Sequence, residues 1–328
     1  MTWRVPCRRN LVAMRHVLAI DAGGTKVLVG IVNERGEVVV RRKEGVSTHD
    51  HEAYFSRCVE MARDCVAESG LSYAELSAVG MNIPGMTTPE GHVYGSPSSG
   101  WPSFEARPLL SRLLSAPELP LYFENDINAC AVAERRFASA PDDFVWVTVS
   151  TGNGGAVFSG GKLVRGANNC AGEIGHIKVE YENPRLCGCG GLGCLEAHAS
   201  ARAIERRAKE VYAADSAWTG RDLSAKDLED LARGGDARAV AIYAEAGKYL
   251  GRALAAAANL VNFKRAYVGG GVAPALDLMM PELDKALRAG TVSPAAEGVE
   301  VVRTALGYEA ALLGAAAVAF EGLDKGGR

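Results

Sequence analysis

Val17-Leu-Ala-Ile-Asp21-Ala-Gly-Gly-Thr-Lys26-Val-Leu-Val-Gly-Ile-Val32 is the stretch that decides the fold of this chain. A short apolar run, residues 17–20, enters Asp21 and a glycine-threonine loop. A second run, 27–32, leaves the loop, and a third, 37–42, follows the turn Glu34-Arg35-Gly36. Aliphatic and β-branched runs bounded by glycine turns predict strands. The loop therefore lies in a β-hairpin turn and opens no helix. Its backbone N–H groups and hydroxyl would cradle phosphate without a P-loop, and no Gly-x-x-x-x-Gly-Lys-Ser/Thr occurs in the chain. The arrangement recurs: a strand over 145–149, the loop Ser150-Thr-Gly-Asn-Gly-Gly155, and a strand over 156–158. The repeat predicts two halves built alike, facing each other across a cleft.

The remaining elements fit an α/β chain. Tyr54, Cys58, Met61, Ala62 and Cys65 have the spacing of an amphipathic helix within 51–70, stopped by Gly70. A strand over 78–83 ends in Pro84-Gly85. The Gly/Ser/Pro loop 94–102 holds Trp101, an aromatic that serves either as a packing lid or as the floor of a sugar site. A strand over 121–124 delivers Asn125-Asp126 at its carboxyl end, where α/β sheets place their chemistry, and a helix follows over 128–137. Residues 200–231 are helix-patterned. Asp236 caps a long helix to about 262, with Ile242, Ala246, Leu250 and Leu254 on one face. A strand over 266–268 ends in Gly269-Gly-Gly271, Pro274 enters another helix, a strand covers 299–302, and an apolar helix covers 308–320.

A second stretch carries different chemistry. Between Gly172 and Glu196, His176, Cys187, Cys189 and Cys194 form a three-sulfur, one-nitrogen set on glycine-rich ground. That set suits a closed tetrahedral zinc site. Gly188, Gly190, Gly191 and Gly193 suppress helix and strand, so the cysteines are poorly explained as core residues. Cys187 and Cys189 are too close in sequence to bridge each other easily. The same glycines spell Gly188-x-Gly190-x-x-Gly193, yet only Asn183-Pro184-Arg185 precedes them and no strand does, so a dinucleotide fingerprint is rejected. Thiolates bind zinc better than carboxylates, which leaves Glu173 and Glu196 free to accept hydrogen bonds from a polar ligand.

Composition narrows the classes. The chain has 328 residues, long enough for two domains, with 48% hydrophobic and 23% charged residues. A net charge of −3 provides no general field for nucleic acid or an anionic membrane, and no apolar run approaches the roughly 20 residues that span a bilayer. No signal peptide is read at the start. Cys7, Cys58, Cys65, Cys130 and Cys170 are scattered without framework spacing, as reduced cytoplasmic thiols are. Residues 1–15, with Arg4, Arg8, Arg9, Arg15 and Pro6, read as a disordered tail, and Met14 offers an alternative start.

Asp21-Ala-Gly-Gly-Thr-Lys26, Glu124-Asn-Asp126, Ser150 to Gly155, Gly269 to Gly271 and the cysteine cluster occur together in this one chain. That series resembles the ROK family of repressors and sugar kinases, in its glucokinase-like branch, over about residues 17–320. The resemblance implies an α/β fold of two similar actin-like ATPase (ribonuclease H-like) domains with a cleft between them. Residues 16–126 would form the first, rejoined by a C-terminal helix within 308–328; residues 127–307 would form the second and carry the zinc-binding loop 172–196. It implies ATP-dependent phosphorylation of a hexose at the 6-hydroxyl, glucose first, as in glycolysis. N-acetylglucosamine and N-acetylmannosamine are the alternative substrates. Asp126 would be the catalytic base. Gly85, Asn125, Glu173, His176 and Glu196 would bind sugar; Gly23, Gly24, Thr25, Lys26, Thr151, Gly152, Gly154, Gly269, Gly270 and Gly271 would bind the nucleotide. Asp21 would face Mg²⁺, and His176 would ligate structural Zn²⁺ through one ring nitrogen while its other faces the sugar. A cytoplasmic homodimer or homotetramer, with no nucleic-acid or membrane partner, completes what the resemblance implies.

Departures from the family pattern put the substrate in question. Ser150 and Asn153 stand where Gly and an aliphatic residue are usual, and the Ser98-Ser-Gly-Trp101 loop lacks an asparagine common before Gly-Trp. The family's regulators carry a winged helix-turn-helix before the first loop. About twenty residues, not helix-patterned, precede it here, so the kinase is expected over a DNA-binding or non-catalytic sugar sensor.

Overall fold

The computed structural model describes residues 14–24, 26–46, 50–95, 100–215, 218, 222–295 and 297–326. From the N-terminus, β1 (His16–Ala22), β2 (Lys26–Asn33) and β3 (Val38–Gly45) form an antiparallel meander, and α1 (His51–Ser69) crosses to β4 (Ala78–Ile83). The Asp50 carboxylate caps α1 by accepting from the N–H groups of Glu52 and Ala53, and Gly70 ends it at φ 74°. A small ribbon, β5 (His92–Val93) with β6 (Phe104–Glu105), leads through α2 (Ala106–Leu114) to β7 (Leu121–Asn125). The sheet order is β3-β2-β1-β4-β7, with β1, β4 and β7 parallel.

The second half repeats this plan. After α3 (Asp126–Phe137) come β8 (Phe144–Val149), β9 (Asn153–Ser159) and β10 (Lys162–Val164). The short α4 (Glu196–Ala199) precedes α5 (Ala201–Tyr212), α6 (Ala225–Arg233) and α7 (Ala237–Val261). Then β11 (Arg265–Gly269), α8 (Leu276–Gly290), β12 (Glu300–Arg303) and α9 (Ala310–Asp324) complete the chain. The order β10-β9-β8-β11-β12, with β8, β11 and β12 parallel, matches the first sheet strand for strand. The expected repeat is present.

Side-chain alternation decides which layer each strand face meets. Leu18 and Ile20 face α1 and α2, in a core with Phe55, Met61, Leu110 and Phe123. Val17 and Ala19 face the opposite way, into a core shared by α3, α9 and the second sheet's Phe144, Trp146, Ala156 and Phe158. Val145, Val147 and Val149 point outward onto α5, α7 and α8. Helices α3 and α9 thus lie between the two sheets. Two contacts fix them there. The buried Glu134 of α3 accepts from Trp146 Nε1 (3.2 Å) and Thr304 Oγ1 (2.5 Å), while Gly80 lets β4 approach α9 so closely that a Cβ would lie 1.8 Å from the Ala315 carbonyl oxygen.

Two expectations are corrected, one helix goes unread in the sequence, and one open alternative is decided. The helical pattern over 200–231 is two helices: α5 ends at Tyr212, and Ser224 with Asp227 opens α6 with a reciprocal capping box. Helix α2 lies in a stretch left unassigned from the sequence; its Pro108 sits in the first turn, where its missing N–H costs nothing. Trp101 is 4% exposed and packs edge-on against Tyr54, Phe55 and Phe104, so it is a core lid and floors no sugar site. Arg15 belongs to the fold, paired with Glu34 and Asp324, whereas residues 1–13 of the expected tail lie outside the described residues. No helix among the described residues is long and apolar enough to cross a membrane.

Candidate active site

The parallel strands β1, β4 and β7 end side by side, and register places Asp21 opposite Asn82 and Asn82 opposite Glu124 in one row. Asp21 is buried there. Burial pushes its carboxyl up to about 7, the nearby Asp126 carboxylate adds to the rise, and a hydrogen bond with the Asn82 amide opposes it. Glu124 is 1% exposed and fully engaged: Oε1 accepts from Asn125 N–H and Asn128 Nδ2, both at 3.0 Å, and Oε2 accepts from Arg165 Nε (3.0 Å) and Nη2 (2.5 Å). Neither Glu124 nor Arg165 was assigned a role from the sequence. A glutamate beside Asn-Asp reads as part of that motif, and only the fold shows that it ties β7 to the segment after β10.

Asp126 is the first residue of α3, and Asn125 is its cap. Asn125 Oδ1 accepts from the N–H groups of Ile127 (2.9 Å) and Asn128 (3.1 Å), while Nδ2 donates to the Gly85 carbonyl (2.9 Å) and to Asp126 Oδ1 (3.0 Å). Because Asn125 does the capping, the Asp126 carboxylate is released from it. Burial pushes the Asp126 carboxyl up to about 6 and the Glu173 charge adds to this, against the pull of the Ile127 N–H and the Asn125 amide. Gly85 and Asn125, both expected at the sugar, are bonded here to each other.

The first loop is a tight turn. Gly23 N–H donates to the Lys26 carbonyl (3.0 Å), and the Tyr54 hydroxyl, from α1, donates to the Gly23 carbonyl (2.7 Å). Gly24 is exposed, and Thr25 lies outside the described residues. The Lys26 ammonium is not free over the loop: it donates to the Tyr308 hydroxyl (2.8 Å), which Lys43 also meets (3.4 Å). In the second loop Thr151 is exposed, Gly154 packs on Ile127, and Gly152 lies where a Cβ would be 2.4 Å from Glu196 Oε2. That oxygen accepts from Asn153 N–H (3.1 Å), so the loop and the cysteine stretch share Glu196. Gly270, at φ 90°, stands against the Val149 carbonyl, where a side chain would collide at 2.5 Å, and Gly269 and Gly271 flank it against Trp146 and Ser150. Of the two departures, Asn153 is buried with its Nδ2 3.5 Å from the Thr148 carbonyl, while Ser150 N–H donates to Gly152 (2.9 Å).

The four ligand atoms of His176, Cys187, Cys189 and Cys194 lie within 4.8 Å of one another. Cys187 Sγ is 3.7 Å from His176 Nδ1, and Cys189 Sγ is 3.7 Å from Cys194 Sγ. Tetrahedral zinc with bonds of about 2.3 Å needs sulfurs about 3.8 Å apart, so the donor set fits that ion. Nδ1 of His176 faces the sulfurs while Nε2 faces Glu173, 3.9 Å from its carboxylate. Lys178, unassigned from the sequence, donates to Cys194 Sγ at 2.7 Å and offsets part of the thiolate charge. His198, just past the stretch in α4, is not among the clustered ligand atoms. It is buried, accepts from Arg185 N–H (3.3 Å) and packs on Tyr249.

The carboxylates at the sheet end, the second glycine turn, the glycine run 269–271 and the sulfur cluster are thus linked pairwise through Asp126, Ile127, Ser150 and Glu196. Comparison with known proteins agrees with this geometry. The ROK family model matches residues 17–321. The chain is similar to the glucokinase of Streptomyces coelicolor, 32% identical over 325 residues, covering 94% of this chain and 98% of that one. It is similar to the glucokinase of Halalkalibacterium halodurans, 30% identical over 311 residues, 92% of this chain and 93% of that one. Among solved structures, a ROK family glucokinase from Streptomyces griseus in complex with glucose and AMPPNP superposes with a TM-score of 0.80 at 29% identity, covering 94% of this chain and 100% of that one. With its doubled actin-like sheet and its cleft, the chain belongs to the ROK family.

Proposed function

We propose that this chain is an ATP:hexose 6-phosphotransferase acting on glucose. The observation that carries the reading is Asp126, a buried carboxylate at the start of α3, beside the Asn125 that does the capping and bonded to its amide. The glucokinase relatives, and the related structure holding glucose and AMPPNP, support it.

In this reading Glu173, Glu196, His176 Nε2 and the Gly85–Asn125 pair surround the hexose, whose neutral hydroxyls need directional acceptors and donors. Asp126 orients the 6-hydroxyl and accepts its proton late, work typically worth ~10²–10⁴-fold. The backbone of Gly23 and Gly24 and of Thr151, Gly152 and Gly154 lies along the phosphates, with Gly269 to Gly271 beside the adenosine. Mg²⁺, when bound, neutralises phosphate charge, and Asp21 would face it. Zn²⁺, when bound, fixes the loop's shape; His176, Cys187, Cys189 and Cys194 would hold it and leave no open position for chemistry. The domain division is part of the proposal: residues 16–126 with 308–328 form one unit and 127–307 the other, and their closure excludes water. So is a cytoplasmic homodimer or homotetramer; the described cysteines, all free, fit the reducing compartment.

The test is ADP release with ATP and a panel of hexoses at matched concentration. Glucose should give the highest kcat/KM, and Asp126→Asn should keep glucose binding while losing turnover ~10²–10⁴-fold. A variant as active as the parent would overturn the assignment.

A further inference from the structure

The segment after β10 crosses the cleft at two points. Arg165 reaches the buried Glu124 beneath the Asp126 turn, and five residues on, Cys170 Sγ meets Met86 Sδ at 3.0 Å. Between them the segment is closed on itself: Ala171 N–H donates to the Arg165 carbonyl (3.0 Å), and the turn runs through Gly166 at φ 72° and Asn169 at φ 54°. Asn tolerates that left-handed conformation better than most residues, so the turn is held in one shape. The tip is therefore pinned at its root by a guanidinium that donates twice to one oxygen, Oε2 of Glu124.

Met86 and Cys170 each adjoin a candidate sugar contact. Met86 follows Gly85, whose carbonyl accepts from the same Asn125 amide that holds Asp126. Cys170 lies three residues before Glu173, whose charge acts on Asp126. In the hexose-kinase reading, a hexose held over Asp126 between Gly85 and Glu173 would meet this pair of sulfur side chains on this side. They present a soft, partly exposed surface: Met86 is 45% exposed, and the Cys170 thiol is already engaged with the Asn168 carbonyl (3.1 Å). A hydroxyl pointing toward them is accommodated; an acylamino group in its place has to force the pair apart.

We propose that Met86 and Cys170 form a specificity wall that closes the cleft against hexoses carrying an N-acyl substituent. The proposal rests on the hexose-kinase reading and names which hexoses that site admits. Arg165 is a positioning residue for the wall, acting through Glu124.

Two measurements test it. In the Met86→Ala/Cys170→Ala double variant, kcat/KM for N-acetylglucosamine or N-acetylmannosamine relative to glucose should rise about tenfold or more, the scale on which one or two methylenes in a pocket discriminate. A ratio within twofold of the parent's, for both amino sugars, overturns the wall. In the unsubstituted protein, saturating glucose should slow iodoacetamide alkylation of Cys170, read by peptide mass, at least tenfold. An equal rate with and without glucose also overturns it, and this arm needs no folded variant. Failure of the kinase reading is distinguishable, because the parent would then release no ADP with any hexose, and the wall's role falls with it.

Discussion

At the scale of single residues, the decisive pair is Asn125 and Asp126. Adjacent on the chain, both are able to cap a helix, and sequence leaves open which one does. The structure assigns the cap to Asn125, whose amide uses both faces, and leaves Asp126 a buried carboxylate, held by that amide, with a raised pKa. The functional consequence has a definite sign. Asp126 accepts a proton only when ionised, and its carboxyl is pushed up to about 6, so kcat/KM for glucose should fall tenfold per pH unit below about pH 6. An acidic limb near 4, the ordinary carboxylate range, would show that burial does not act on the base as inferred. For stability the sign is opposite. A carboxyl raised in the folded state favours folding fully below its unfolded value, and that contribution is lost as pH rises through the folded value. Asp21, at about 7, and Asp126 are thus groups whose ionised forms cost stability at neutral pH and are kept for the site they form.

At the scale of elements, the stretch Gly172–Glu196 shows how local chemistry and packing divide the work. Its cysteines and histidine announce a metal in the sequence, because three sulfurs on glycine-rich ground have few other uses. What the spacing does not disclose is the coupling of each end to another element: Glu196 to Asn153 N–H in the second loop, Glu173 to Asp126. Loss of one ligand should therefore be felt beyond the metal. Cys189→Ser should lower bound zinc and raise the glucose KM about 10–100-fold, the usual cost of disturbing a metal site's supporting shell. Metal analysis alongside the kinetics checks it, and a protein purified without zinc yet fully active would remove the metal from the account. The elements that sequence left unread or misjudged, α2 and the α5–α6 break, are those where a local signal was ambiguous: a proline in a first turn, and helix-forming residues on either side of a turn.

At the scale of the whole molecule, α9 is the element that unites the halves. It follows the second sheet in sequence but packs on β1 and β4 of the first, and with α3 it fills the layer between the sheets. Gly80 makes this possible, since any side chain there would strike the Ala315 backbone. Gly80→Ala should cost about 1–3 kcal/mol, the typical cost of overpacking, read as a lowered urea midpoint. An unchanged midpoint would mean that α9 yields without loss. The same layer links chemistry to architecture, because α3 begins at Asp126 and is fastened to the second sheet through Glu134.

Sequence by itself determined the strands, the two glycine-threonine turns, the repeat that relates the halves, the grouping of His176 with Cys187, Cys189 and Cys194, and the place of Asp126 as a carboxylate at a strand's carboxyl end. These are legible because they depend on period-two alternation, on turn chemistry and on ligand type, all of which act between near neighbours. Tertiary structure alone decided that Asp126 lies close enough to Asp21 to add to its cost of ionisation, that Lys26 is taken up by Tyr308, that Trp101 is core, and that Arg165 reaches Glu124 while Cys170 reaches Met86. Electrostatic and packing terms depend on distance in space, and distances between residues far apart on the chain exist only once both sheets have closed on α3 and α9.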